Sequence, residues 1–206
     1  MSDNSIENKT TSNHENLAVT PVAAAPTNTV TGSQSTGSTD RLAKPWKVTD
    51  KLLRFIGIWE NGVENGKNFA KQTVTNGFIL TVYNDSRNLP TVGCGHLVTT
   101  EDKLKLGDSI TIEKAKDILK NDLEIAEKAI NEKVKVPLYQ NEYDALVSVT
   151  FNTGRSGALK LIDKVNEGDY KVVPKEIEKY RTGGGNKGRR ASEASLFESG
   201  NYDATH

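Results

Sequence analysis

The histidines stand at positions 14, 96 and 206, and no Ser-His-Asp order, phosphate-binding glycine loop or HExxH zinc motif accompanies them. The single cysteine, Cys94, has no neighbour in sequence that would activate it, and with no second Cys a CxxC metal or redox site is absent. That leaves the carboxylates. Two acids flanking a sugar bond can cleave it: one protonates the leaving oxygen while the other supports a water or the developing cation. Such a pair needs a groove, and a helix end facing a β-hairpin supplies one.

The elements that would build this groove can be read from periodicity. From Lys51, the residues Leu52, Leu53, Phe55, Ile56 and Trp59 share one broad helical face, and Asn61-Gly62 stops the run, so Glu60 falls at the helix end. FILTVY at 78 to 83 has strand composition. The turn residues of Asn84 to Pro90 follow, and TVGCGHLV resumes an extended run, which predicts a hairpin. Thr111 can cap a helix carrying Ile112, Ala115, Ile118, Leu119, Leu123, Ala126 and Ile130 at a 3.6-residue period. After Pro137, Asn141 with Asp144 can open a largely apolar, buried helix that Asn152-Thr153-Gly154 closes. From Ala158 to Phe197 two shorter helical segments are expected, separated by the glycine-rich stretch 182 to 188. The sum is α+β: a small β-hairpin lobe followed by a mainly helical lobe.

At 206 residues the chain is long enough to bury a core. Its 27 basic and 27 acidic residues cancel, so no whole-molecule field draws it to nucleic acid or to an anionic surface. No stretch approaches the ~20 apolar residues of a membrane span, and the start lacks the basic-then-apolar order of a secretory signal. Residues 1–45 are rich in Ser, Thr, Asn, Ala and Pro and contain no aromatic residue, which reads as a disordered tail or linker ahead of a domain at 46–206.

Four segments resemble the phage lysozymes, glycoside hydrolase family 24. TVYNDSRNLPTVGCGHLVT (81 to 99) is similar to the family's signature hairpin, in which Asp85 and Thr91 match its catalytic Asp and Thr. FIGIWENG (55 to 62) is similar to the helix that ends in the catalytic Glu, here Glu60. LYQNEYDALVSVTFNTG (138 to 154) resembles the family's buried helix, and GNKGRRASEASLFESGNY (185 to 202) its C-terminal signature. The resemblance implies a lysozyme-like bilobal fold and a muramidase that hydrolyses the β-1,4 bond between N-acetylmuramic acid and N-acetylglucosamine in peptidoglycan. Glu60 would be the general acid, kept protonated by partial burial, with Asp85 ionised and placing water together with Thr91. The family suggests inversion and needs no cofactor.

One departure stands out. In the family's usual pattern the Glu precedes the Asp by nine positions, where this chain has Asn76, whereas Glu60 stands 25 before Asp85. Either residues 61 to 76 are an insertion or the acid has been lost. The insertion is the reading adopted, with Glu64 as reserve acid. His96 reads as a structural hydrogen-bonding residue, Cys94 as packing, and at least one of Arg189 and Arg190 as a partner of Glu193. Rival functions are a lytic transglycosylase on the same bond, a non-catalytic wall-binding module motivated by Asn76, and a chitinase-like specificity. The expected partners are peptidoglycan glycan strands, plus an immunity or inhibitor protein if the chain is a secreted antibacterial effector rather than an endolysin. A monomer acting in the periplasm or cell wall, without nucleic acid or membrane insertion, completes the expectation.

Overall fold

The computed structural model describes residues 41–154 and 158–205. Thr49 caps the first helix, α1 (Asp50–Asn61), its hydroxyl accepting the Leu52 N–H at 3.1 Å, and Gly62 ends it in the left-handed conformation (φ 79°). The face predicted from spacing is the buried one: Leu52, Leu53, Phe55 and Ile56 are all at most 1% exposed. Five strands follow as an antiparallel meander in chain order: β1 (Gly66–Lys67), β2 (Thr73–Thr75), β3 (Phe78–Asn84), β4 (Pro90–Gly93) and β5 (His96–Leu97). Val82 and Val92, on one face of this sheet, close a small core against Ile118.

Ile118 belongs to α2 (Ile112–Lys133), capped by Thr111 as its sequence suggests. The buried α3 (Gln140–Thr153) then packs against α2 and against α6 (Lys187–Ser199), with α4 (Leu159–Asn166) and α5 (Val173–Lys179) completing the helical lobe. The lobes share α1, whose apolar face joins the main core while its C-terminal end meets the sheet.

Four details differ from the sequence reading, each for a local reason. The expected hairpin β3–β4 is the middle of a larger sheet, because residues 61 to 76 form strands of their own. Two strands flank Asn76-Gly77, and both turn residues have positive φ (51° and 85°), as a two-residue type I′ turn requires. The two short helices after Ala158 are three, since Gly168 (φ 78°) and Pro174 at the start of α5 divide the stretch before the glycine-rich segment.

The third concerns the start of α3, which lies at Tyr139, whose N–H is accepted by the Glu142 carboxylate at 2.8 Å. Asn141 instead caps α6, donating to the Leu196 and Phe197 carbonyls at 3.1 and 2.8 Å. Asp144 is fully buried and accepts from Thr49, Tyr202 and Gln140, tying the α1 cap to α3. Burial pushes its carboxyl up to about 6 against those hydrogen bonds.

The fourth is the boundary of the folded part. Residues 1–40 of the expected tail lie outside the described residues, but 41 to 45 pack on the domain. Arg41 donates to Glu142 at 3.1 and 2.7 Å, with its guanidinium over the rings of Tyr139 and Tyr170. Leu42 bridges Leu138, and Lys44 reaches the Asn131 carbonyl at 2.6 Å. Composition misses this because the side chains that receive the segment lie about a hundred residues away.

Candidate active site

Glu60 occupies the last turn of α1, and its two chain neighbours fix it in place. On one side, the Trp59 ring lies so close to Gly188 that a Cβ there would stand 3.3 Å from it, which brings the start of α6 against the end of α1. The residue after Gly188 is Arg189, whose Nη1 donates to Glu60 Oε1 at 2.6 Å. On the other side, buried Asn61 donates from Nδ2 to the carbonyls of Gly77 (2.7 Å) and Gly93 (3.0 Å), so the helix end is bonded to the starts of β3 and of the β4–β5 turn. Gly57 allows this approach: a Cβ there would meet the Gly77 carbonyl oxygen at 2.7 Å.

Arg189 is itself held. Its Nε donates to Glu193 at 3.1 Å; Glu193 also accepts from Ser148 of α3 at 2.7 Å and from Arg190. Arg190, fully buried, adds Asn152 and the Tyr180 carbonyl. Both arginines therefore pair with Glu193, and one of them also reaches the candidate acid. The Glu60 side chain remains 29% exposed, against 5% for Arg189, so the carboxylate is bonded beneath and open above.

Asp85 is set differently. It opens the turn between β3 and β4, with Oδ1 accepting the N–H groups of Arg87 (2.8 Å) and Leu89 (2.9 Å) and Oδ2 accepting the Arg87 guanidinium (3.1 Å). The Leu89 N–H, opposed in part by desolvation and joined by Arg87, holds the carboxyl below the usual carboxylate range. Tyr83 and Thr91 are direct cross-strand partners, and Asp85 follows two residues on from Tyr83, just past the end of β3. Thr91 is only 2% exposed and donates its hydroxyl to the Leu89 carbonyl at 3.0 Å. Burial, together with the charge of Asp85, raises the half-buried Tyr83 hydroxyl.

The alternatives raised by the departure separate cleanly in space. Glu64 pairs with Arg54 at 2.5 Å and so joins a different arginine from Glu60. Asn76 is an exposed turn residue in left-handed backbone, a conformation that suits Asn. Cys94 is buried beside Gly77, and burial, with the charges of Glu60 and Asp122, raises its thiol far out of the nucleophilic range. His96 lies between Asp122 of α2 (2.9 Å) and Asp102 (3.3 Å); burial lowers its proton affinity, but the two carboxylates reverse this and leave it raised. A cavity of about 610 Å³ lined by Asp50, Lys51, Arg54, Asn76, Lys116 and Tyr202 contains none of Glu60, Asp85 or Thr91. Sequence reasoning did not assign Asn61 or Tyr83; Asn61, between Glu60 and the helix-ending Gly62, was the available signal.

A small sheet and a helical lobe joined through a carboxylate-bearing helix end define a lysozyme-type architecture, and comparison with known proteins agrees. The phage lysozyme family model matches residues 73–193, more than half of the chain, and the chain belongs to that family. The stretch includes Asp85, Thr91, Arg189 and Arg190, and it begins after Glu60. The chain is 47% identical to the endolysin of Salmonella phage P22 over 78 residues, which is 37% of this chain and about half (53%) of that endolysin. It is 36% identical to the endolysin of Acyrthosiphon pisum secondary endosymbiont phage 1 over 53% of this chain and 80% of the relative. A crystal structure of a P22 lysozyme point mutant superposes with TM-score 0.60 at 29% identity, covering 74% of this chain and 99% of that one.

Proposed function

We propose that this protein is a muramidase cleaving the β-1,4 bond between N-acetylmuramic acid and N-acetylglucosamine in peptidoglycan, with Glu60 as general acid. The observation that carries the assignment is the Arg189–Glu60 contact, since it joins the helix end to a residue of the family's C-terminal signature. With Oε1 held by Arg189, Oε2 is the oxygen that delivers a proton to the departing sugar oxygen. Asp85, kept ionised by its turn, faces the sugar carbon and supports water, and Thr91 fixes the strand that carries this water site. The site of action is the cell wall, reached by release or secretion. If the chain is secreted as an effector, the partner to seek is an immunity protein that covers Glu60 and Asp85.

The test is Glu60→Gln. The near-isosteric amide still accepts from Arg189 but carries no transferable proton, so turnover of purified sacculi should drop at least about a hundredfold while the fold is kept. Glu64→Gln should cost little. A folded Glu60→Gln protein digesting sacculi at the wild-type rate would remove Glu60 from the mechanism. Release of 1,6-anhydro products instead of reducing ends would replace hydrolysis by transglycosylation.

A further inference from the structure

Glu60 is fastened to the helical lobe through Arg189 of α6, whereas Thr91 lies in the sheet and Asp85 in the turn that joins β3 to β4. For Glu60 and Asp85 to act on one bond, the end of α1 must also be set against the sheet, to within about 0.5 Å for efficient chemistry. Arg189 cannot do this, because it stands on the other lobe.

The side chain next to Glu60 makes the connection. Asn61 is only 7% exposed, and its amide has two N–H groups to give. Both are used, one on the Gly77 carbonyl at 2.7 Å and the other on the Gly93 carbonyl at 3.0 Å. Gly77 immediately precedes β3, the strand that runs on toward Asp85, and Gly93 ends β4, which carries Thr91 two residues earlier. One amide thus ties the helix end to both strands that lead to the candidate residues. Few side chains of this size could replace it. A hydroxyl has one hydrogen to donate, and a carboxylate has none and would set its charge against two carbonyl oxygens. The helix itself has other supports: the Gly62 N–H closes it on the Ile58 carbonyl at 2.8 Å, and Leu52, Leu53, Phe55 and Ile56 anchor it in the main core. What the two amide bonds add is the height and rotation of the last turn, where Glu60 stands.

We propose that Asn61 is a positioning residue for bond cleavage: it sets the Glu60 carboxyl at its working distance from Asp85 and Thr91 without touching substrate. This rests on the muramidase reading with Glu60 as general acid, and it adds a residue that acts only through Glu60.

The experiment is a double-mutant cycle on sacculus digestion, in which kcat and the half-saturating sacculus concentration are measured for wild type, Asn61→Leu, Glu60→Gln and the double variant. Asn61→Leu should lower kcat roughly ten- to a hundredfold and leave half-saturation within about twofold. With Glu60→Gln already in place, Asn61→Leu should change the residual rate by less than about twofold, since the group it positions is gone. A residue that only braces the fold would cost the same factor in both backgrounds. That result overturns the proposal, as does an Asn61→Leu protein with the wild-type kcat. If Asn61→Leu does not fold, Asn61→Asp, equal in size but without the amide hydrogens, takes its place under the same expectations; failure of both to fold makes Asn61 a folding residue and also overturns the proposal. Wild-type turnover by Glu60→Gln alone would remove the reading beneath the proposal, and the parent variant shows that failure without any change at Asn61.

Discussion

The two candidate carboxylates are held by opposite means. Every hydrogen bond to the Asp85 carboxylate comes from residues two to four positions along the chain, so its geometry belongs to one turn. Glu60 is held by Arg189, 129 residues away, and through it by a buried set of side chains from α3 and α6. A local turn forms with its strand pair and can be rebuilt wherever that turn is copied. A helix end set against a remote arginine exists only when both lobes are folded, so Glu60 is coupled to global stability and Asp85 is not.

The sharpest way to break this asymmetry is to remove the hub of the remote network. Glu193→Ala leaves Arg189 and Arg190 buried with fewer acceptors and should cost about 3–5 kcal/mol in urea unfolding. Activity at temperatures where the variant is still folded should also fall, since Arg189 is no longer aimed at Glu60. An unfolding midpoint within error of wild type would mean the network adds nothing to the helical lobe.

A smaller effect is expected at His96, whose contacts are half local (Asp102) and half remote (Asp122). Because its folded-state proton affinity is raised, its contribution is fully present below the unfolded value near 6.5 and is lost as pH rises through the higher folded value. Asp102 is shifted the other way: burial alone would raise it, but the Thr99 hydrogen bonds and His96 outweigh this, so its share is lost as pH falls through its lowered value. The stability gap between wild type and His96→Gln should therefore peak near pH 5 and shrink by pH 9, as read from melting temperatures across that range. A gap that widens with pH contradicts this arrangement.

The smallest effect belongs to the local site. Arg87→Ala removes an exposed guanidinium from Asp85 but leaves the backbone N–H groups of residue 87 and Leu89 in place. The melting temperature should move by less than about 2 °C. A larger shift in a thermal scan would show that the turn is not self-sufficient.

This contrast also explains what the sequence disclosed. α1, α2 and the β3–β4 hairpin were legible because caps and apolar spacing act within a few residues, whereas Asp85 was singled out only by the resemblance of its segment to the family's signature hairpin. The β1–β2 strands were missed although Thr75-Asn76-Gly77-Phe78 carries a hairpin signal, because Asn76 was weighed as a replaced acid rather than as a turn residue. The docking of residues 41 to 45, the clamp of Asn61 and the Trp59–Gly188 contact depend on groups from 16 to about 130 positions away, which periodicity does not encode.

The hydrogen bond from Asn61 to the Gly77 carbonyl has an evolutionary consequence. It places the two ends of the inserted segment side by side, so the segment leaves the body of the protein and returns to nearly the same point. An excursion of that shape can be lengthened, shortened or exchanged at small cost, because closing a longer loop between fixed ends adds only about 0.6 kcal/mol per doubling. The spacing between Glu60 and Asp85 along the chain is then free to drift while their places on the helix end and the β3–β4 turn are kept, and the junction becomes a natural graft point at which the fold can acquire a new tip without disturbing the two candidate carboxylates.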